Sequence, residues 1–213
     1  MLTLALDAST YAGSVAIVDG ARMLAERSVA MRGEREERLM PAVDEAIRGA
    51  GIAASDLACI VCGAGPGSFT SLRIAGSIAK GMALGLGVPL YAVSSLWLIV
   101  AGAEPALASG TYRAGLDAMR GEQHVQTIVV EDNGMLTEAD EPRIATAREI
   151  AAHSTSIGPA FATGHAPHAR GVTRLDLSLM HPVDLASWEP SYGRLAEAQV
   201  KWEAAHGRPL ATG

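Results

Sequence analysis

The stretch from Gly63 to Gly87, GAGPGSFTSLRIAGSIAKGMALGLG, constrains the fold more than any other part of the chain. A three-glycine turn runs straight into a helix of small and aliphatic residues. Gly63, Gly65 and Gly67 give the backbone access to positive φ and to close approach. Pro66 stiffens the turn, and Ser68, Thr70 and Ser71 are each able to cap a helix that begins near Leu72. An apolar strand, Ala58 to Val61, precedes the turn. Strand, glycine turn and helix N-terminus in that order aim free N–H groups and a positive dipole end at one point, a place for an anion. The spacing departs from the common phosphate loops. A Walker A loop ends in Gly-Lys-Ser/Thr, whereas the first lysine of this chain is Lys80, and Gly65-Pro66-Gly67-Ser68-Phe69-Thr70 lacks the third glycine of the dinucleotide fingerprint. Two readings stay open on spacing alone: an anion site around Gly65, Gly67, Ser68 and Thr70, or a tight turn without a ligand.

The chain downstream of this helix excludes a membrane span. Gly81 to Ala103 carries no charge and is long enough to cross a bilayer. Gly85, Gly87 and Pro89 interrupt it, so it reads as a helix end, a short buried strand (Leu90 to Val93) and a new helix capped by Ser94 or Ser95. Aromatic residues are only 4% of a chain that is 49% hydrophobic, so the core is built from Ala, Leu, Val, Ile and Met. The net charge is −6, with two lysines and scattered arginines. A protein that grips nucleic acid by itself shows a basic face, because phosphate contacts dominate affinity. None is visible here. Two cysteines and no apolar leader fit a reducing cytoplasm.

The order of elements gives the fold class. Leu2 to Leu6, Ser14 to Val18 and Arg22 to Ser28 read as three consecutive strands, followed by a helix over Arg35 to Ala50. Then come strand Ala58 to Val61, helix Leu72 to Leu86 and strand Leu90 to Val93. A three-strand meander followed by alternating helices and parallel strands is the α/β pattern of the actin/Hsp70/sugar-kinase (ASKHA) superfamily. A second meander over Thr111 to Ala118, Glu122 to Val130 and Gly134 to Glu138 turns at Asp132-Asn133-Gly134. Thr146 caps a short helix to Ala152, and Ile157 to Thr163 reads as a strand. The expected organisation is an N-terminal lobe at 1–108 and a reduced C-terminal lobe at 109–213 with a C-terminal helix. Ser94 to Ser109 holds a helix that crosses between them.

Chemistry-bearing residues are sparse. Asp7 ends the first strand, where kinases of this superfamily place a carboxylate near Mg-ATP, and Ser9, Thr10 and Gly13 follow it. The competing reading is an aspartate that caps its own turn through Ser9 and Thr10. Asp117 is the second lobe's counterpart, but no Gly-rich phosphate loop follows it, so a catalytic cleft is incomplete. Cys59 and Cys62 form a CxxC, yet on a strand they face opposite sides and read as buried structural thiols. His165 and His168 flank Pro167 as loop histidines without a metal-ligand set. On Arg35 to Ala50, Leu39, Val43 and Ile47 share one stripe. On the next helix Arg73 and Lys80 share one line, and Gly76, Ala79 and Ala83 leave flat sides suited to close packing, within the lobe or against a partner.

The wording of these segments is more specific than their spacing. GPGSFTSLRIAGSIAKGMALGLGVPLYAVSSL resembles the signature of the TsaB (YeaZ) family of tRNA threonylcarbamoyladenosine (t6A) biosynthesis proteins. Leu4 to Thr10, Arg38 to Pro41, Leu116 to Glu122 and Pro190-Ser191-Tyr192 are similar to that family's other blocks, in its order. Departures are Ser71 and Ala75 where glycines are usual, Arg35 for a common His, Gln123-His124 for Val-Tyr, and Gly193 for Leu. Leu195 to Gly213 lies beyond the family's last motif. The resemblance implies the ASKHA fold and a cytoplasmic, non-catalytic subunit with no cofactor or metal of its own. It would scaffold a TsaD-like catalytic subunit, which with a TsaE-like ATPase would hold ATP, ADP and metal and engage tRNA. The docking surface it implies is the two-helix face: Leu39, Val43, Ile47, Leu72, Arg73, Gly76, Ala79, Lys80 and Ala83. Alone, the chain would offer that face to a second copy as a homodimer. An independent ATP-dependent small-molecule kinase is the alternative enzyme reading. A peptidase is disfavoured because no His-x-x-x-His occurs.

Overall fold

A computed structural model describes residues 1–31, 37–118, 121–146, 149, 156–161, 163–193 and 205–207. Strands β1 (Leu2–Asp7), β2 (Ala12–Asp19) and β3 (Arg22–Ala30) form an antiparallel meander. Strands β4 (Cys59–Gly63) and β5 (Leu90–Val93) extend it in parallel, giving the order β3-β2-β1-β4-β5. A second sheet contains β6 (Gly110–Asp117), β7 (Glu122–Val130), β8 (Leu136–Glu138), β9 (Arg143–Thr146) and β10 (Ser156–Ile157). Its order is β10-β6-β7-β8, with β9 also pairing β7 and β10 running parallel to β6. Two mixed sheets in this arrangement make an α/β ASKHA-like fold.

The period-2 alternation of the first sheet sorts its side chains into two cores. Leu4, Leu6, Ile17 and Ile60 face α1 (Leu39–Ala50) and α2 (Phe69–Leu86), while Ala5, Ala16, Val18 and Val61 face the other way. On that second side lies α3 (Ser95–Ala101), every residue of which is buried. Val93, Trp97 and Ile99 join Ala114, Leu116 and Ile128 of the second sheet in one cluster, so α3 is the layer between the sheets. The uncharged run thus resolves into α2, a left-handed Gly87 that ends it (φ 68°), β5 and α3. None of the described helices is long and apolar enough to cross a membrane.

Several boundaries differ from the sequence reading. Helix α2 starts at Phe69, not Leu72, because Ser68 supplies the extended residue before it; the Ser68 hydroxyl bonds that of Ser71 at 3.1 Å. The strand expected over Ile157 to Thr163 stops at Ile157. Gly158 has φ +123° and Pro159 follows, so the chain leaves the sheet as a 3-10 turn over Pro159–Phe161. Helix α1 starts at Leu39 rather than Arg35, with Glu37 and Arg38 ahead of it outside the helix and the Glu37 carboxylate accepting from the Met40 amide; residues 32–36, most of the helix expected after Thr146, and most of the C-terminal segment lie outside the described residues. The two sheets fall on either side of residue 108, but the packing does not respect that division. The Ala169 amide donates to Ser14 Oγ (2.9 Å), the Val183 amide to the Leu90 carbonyl (2.8 Å) and the Ser191 amide to the Ala64 carbonyl (2.7 Å). The later part of the chain therefore straps back over the first sheet.

Candidate functional site

The glycine turn sits at the carboxyl end of β4, beside the carboxyl end of β1, where α/β sheets of this kind place ligands. Asp7 lies at its centre and is fully buried. One carboxylate oxygen accepts from the Ser9 amide (3.0 Å) and the Ser9 hydroxyl (2.8 Å); the other accepts from the Ser95 hydroxyl (2.5 Å). Ser95 Oγ in turn accepts from the Gly65 amide (3.0 Å), and the Ser95 amide donates to the Gly65 carbonyl (2.9 Å). Burial raises the Asp7 carboxyl above its ordinary range, and the Ser95 and Ser9 hydrogen bonds only partly oppose this. Asp7 is thus a structural hub joining β1, the glycine turn and α3. Thr10 takes no part in it, bonding instead to Ala12. Of the two proposed capping residues, only Ser9 touches the carboxylate.

The three glycines are explained by what fills the turn. A Cβ on Gly63 would stand 1.9 Å from an Asp7 carboxylate oxygen, one on Gly65 2.1 Å from the Ser191 carbonyl oxygen, and one on Gly67 2.1 Å from that of Ser9. The Ser68 amide, which heads α2, donates to the same Ser9 carbonyl at 2.7 Å. The chain's own backbone therefore occupies the space beside Gly65 and Gly67 and engages the Ser68 N–H that an anion would need. Thr70 is exposed on the first turn of α2, whereas Asp7 is fully buried. A cavity of about 560 Å³ does open beyond the turn, lined by Gly65, Pro66, Ser94, His124, Arg143 and Ser191 among others. Neither Asp7 nor Ser9 reaches its wall.

The expected docking residues need correction. Leu39, Val43, Ile47, Ala79 and Ala83 are buried against Leu4, Leu6, Ile17 and Ile60 in the protein's own core, and Leu72 is equally buried. Their stripe is the sheet-facing side of each helix, since an amphipathic helix on a sheet must turn its apolar face inward. Gly76 is covered too: a Cβ there would meet Pro190 Cγ at 3.0 Å. The small side of α2 receives the 183–192 strap of this same chain. Lys80 Nζ donates to the Trp188 carbonyl (2.9 Å), Arg73 Nε to the Tyr192 hydroxyl (3.4 Å), and the Phe69 and Tyr192 rings lie 4.4 Å apart. What α2 leaves open is a narrower face of Phe69, Arg73, Ser77, Gly81, Leu84 and Gly85. Leu84 is 76% exposed, and a Cβ on Gly81 or Gly85 would meet nothing within 4 Å.

Both cysteines are buried and free. Cys59 pairs with Thr3 Oγ1 (3.2 Å), and Cys62 donates to the Gly63 carbonyl (3.5 Å). Burial pushes both thiols up, Cys62 far up, with the Asp7 charge adding to the effect. Such thiols are inert. Among the described residues no group of three or more His, Cys, Asp or Glu side chains is placed to hold a metal ion. His168 sits at the head of the 3-10 turn Ala169–Arg174, its Nδ1 accepting from the Arg170 amide at 3.1 Å.

Comparison with known proteins agrees with this architecture. A family model described as TsaD, tRNA N6-adenosine threonylcarbamoyltransferase, matches residues 30–127. The chain is 29% identical to the tRNA threonylcarbamoyladenosine biosynthesis protein TsaB of Bacillus subtilis over 95% of its own length and 98% of that protein. It is 33% identical to the TsaB protein of Escherichia coli over 63% of this chain and 58% of that one. YeaZ from Pseudomonas aeruginosa superposes with a TM-score of 0.77 at 25% identity, covering 90% of this chain and 99% of that structure. The chain belongs to the TsaB (YeaZ) family. Two departures from the TsaB pattern meet in space. Gly193 has φ +70°, and a Cβ on it would stand 2.3 Å from the His124 ring and 2.8 Å from Pro66. His124 and Pro66 thus fill the space beside Gly193 that a side chain there would need.

Proposed function

We propose that this TsaB-family chain serves t6A modification of tRNA as a non-catalytic subunit that scaffolds and activates a TsaD-like catalytic subunit. The observation that carries the reading is the plugged glycine turn. Asp7, the residue a kinase of this fold would turn toward Mg-ATP, spends its carboxylate on Ser9 and Ser95. The backbone of Ser9 and Ser191 occupies the space beside Gly67 and Gly65. A phosphate would have to displace the fold's own hydrogen bonds there, which disfavours the kinase alternative. Nucleotide and metal then belong to the partner subunits, the TsaD-like enzyme and a TsaE-like ATPase, and tRNA is engaged through the complex by an acidic chain of net charge −6.

The docking surface moves from the buried stripe to the outer face of α2. Ser77, Gly81 and Gly85 recur every four residues and leave a flat track on which another helix can approach closely, with Leu84 and Phe69 as apolar anchors beside it. Reconstitution tests the reading. Purified TsaD-like and TsaE-like subunits, the threonylcarbamoyl-adenylate-forming enzyme and unmodified tRNA are assayed for t6A with and without this chain. Modification that depends on the chain and survives Asp7→Asn supports a scaffold. Full modification without it, or saturable ATP turnover by the chain alone, overturns the proposal.

A further inference from the structure

The chain returns to the first sheet at His168, and the contacts made there depend on the protons that this ring carries. The 3-10 turn Ala169–Arg174 follows it, with Ala169 and Val172 buried in one cluster with α3 and the second sheet. The His168 amide donates to the Leu98 carbonyl (3.4 Å) and the Ala169 amide to Ser14 Oγ of β2 (2.9 Å). A Cβ on Gly171 would stand 2.8 Å from that of Ala101, so the turn lies flush against the end of α3. It covers the helix that joins the two sheets.

His168 Nδ1 accepts from the Arg170 amide (3.1 Å) and from Arg170 Nε (3.2 Å), and Arg170 Nη2 lies 3.3 Å from the other ring nitrogen. An arginine only donates, so Nδ1 must keep its lone pair. The neutral ring then carries its proton on Nε2, which faces Ser28 Oγ of β3 at 3.4 Å. Arg170 extends the cluster, pairing with Glu26 of β3 (3.1 Å) and with Glu104, just after α3. Protonation of the ring would set an N–H on Nδ1 against two N–H donors and place a second cation beside the guanidinium. The charges of Glu26 and Asp7 favour the imidazolium, but burial outweighs them and holds the ring below its ordinary value of 6.5. The neighbouring elements add no other charge at the ring. Helix α3 has none; Asp19 of β2 pairs with the amino terminus at the far end of its strand; Arg27 of β3 pairs with Glu45 of α1. We propose that His168 and Arg170 form a proton-sensitive latch: the neutral ring pins the turn to β3 and α3, and the protonated ring lets the turn lift away from Ser14 and the end of α3.

The sign follows from the neutral ring that the closed turn requires. The opened turn binds more protons than the closed one below pH 6.5, so the latch holds fully above that pH and weakens as pH falls below it. Amide hydrogen exchange of the full chain by NMR, from pH 7.5 to 5.5 and corrected for the intrinsic rate, tests this. The Ala169 amide is the reporter, because its acceptor, the Ser14 hydroxyl, does not titrate. Its protection should be constant down to about pH 6.5 and then fall several-fold by about pH 5.5, with a ceiling of about tenfold per pH unit. His168→Asn keeps a side-chain acceptor two residues before the Arg170 amide and cannot titrate, so its Ala169 protection should change less than about twofold over the same range. The ring resonances of the unaltered chain should show the Nε2-protonated tautomer at neutral pH and a titration below 6.5. Constant Ala169 protection in the parent, or an equal fall in His168→Asn, overturns the latch. So does a ring that titrates at or above 6.5, a measurement that decides the matter even where the variant misfolds.

Discussion

Replacing Asp7 separates a structural carboxylate from a catalytic one. The side chain is fully buried and accepts three hydrogen bonds, two from Ser9 and one from Ser95. Asp7→Ala strands three donors in a dry site. At a net ~1–1.5 kcal/mol per hydrogen bond the loss is about 3–5 kcal/mol, offset in part by removal of a buried charge. Asp7→Asn keeps the oxygen that accepts from Ser9 and removes the charge, so it should cost clearly less than Asp7→Ala at neutral pH. The sign of the pH dependence follows from the raised carboxyl. Between the ordinary value near 3.8 and the raised folded value, the native state binds more protons than the unfolded state. Native stability conferred by the protonated form is therefore full below that window and lost as pH rises through it, with a limiting slope of about 1.4 kcal/mol per pH unit. Asn does not titrate, so urea titrations of both proteins should show Asp7→Asn gaining on the parent as pH rises from about 4. A difference that stays flat, or that moves the other way, would refute the argument that burial outweighs the three hydrogen bonds.

The helices invite a paired test. Val43→Glu places a carboxylate in the core and should cost more than ~3 kcal/mol, read as a lowered melting temperature or insoluble protein, while Leu84→Glu on the open face should stay within ~0.5 kcal/mol of the parent. In a pull-down with a TsaD-like subunit, Leu84→Glu should nonetheless lose binding; retained binding moves the interface off α2. Gly81→Ala adds a methyl in open space within a helix and should stabilise the isolated chain by about 0.5–1 kcal/mol, whereas Gly67→Ala drives a Cβ onto the Ser9 carbonyl and should destabilise it severely by chemical denaturation. Cys59 and Cys62 should resist a thiol-reactive disulfide reagent in the native protein and react only as it unfolds; fast native labelling would contradict their burial.

What the sequence determined by itself was local and periodic. Alternation in Leu2 to Val18 and the four-residue spacing of Leu39, Val43 and Ile47 set strands and helix, because side-chain direction follows the backbone repeat. The breaks at Gly87 and Pro89 divided an uncharged run that a membrane could otherwise have claimed, and the run of motifs from Leu4 to Tyr192 disclosed the family. Whether an apolar stripe faced the chain's own sheet or a partner was not legible, since both bury the same residues; only the tertiary structure turned Val43 and Ala79 inward and left Leu84 outside. The glycines showed the same limit. Their spacing announced close approach by something, but the Ser9 and Ser191 carbonyls that approach Gly67 and Gly65 come from 58 residues before the one and 126 after the other. A glycine's missing side chain marks a space, and what fills that space is settled by contacts between segments remote in sequence.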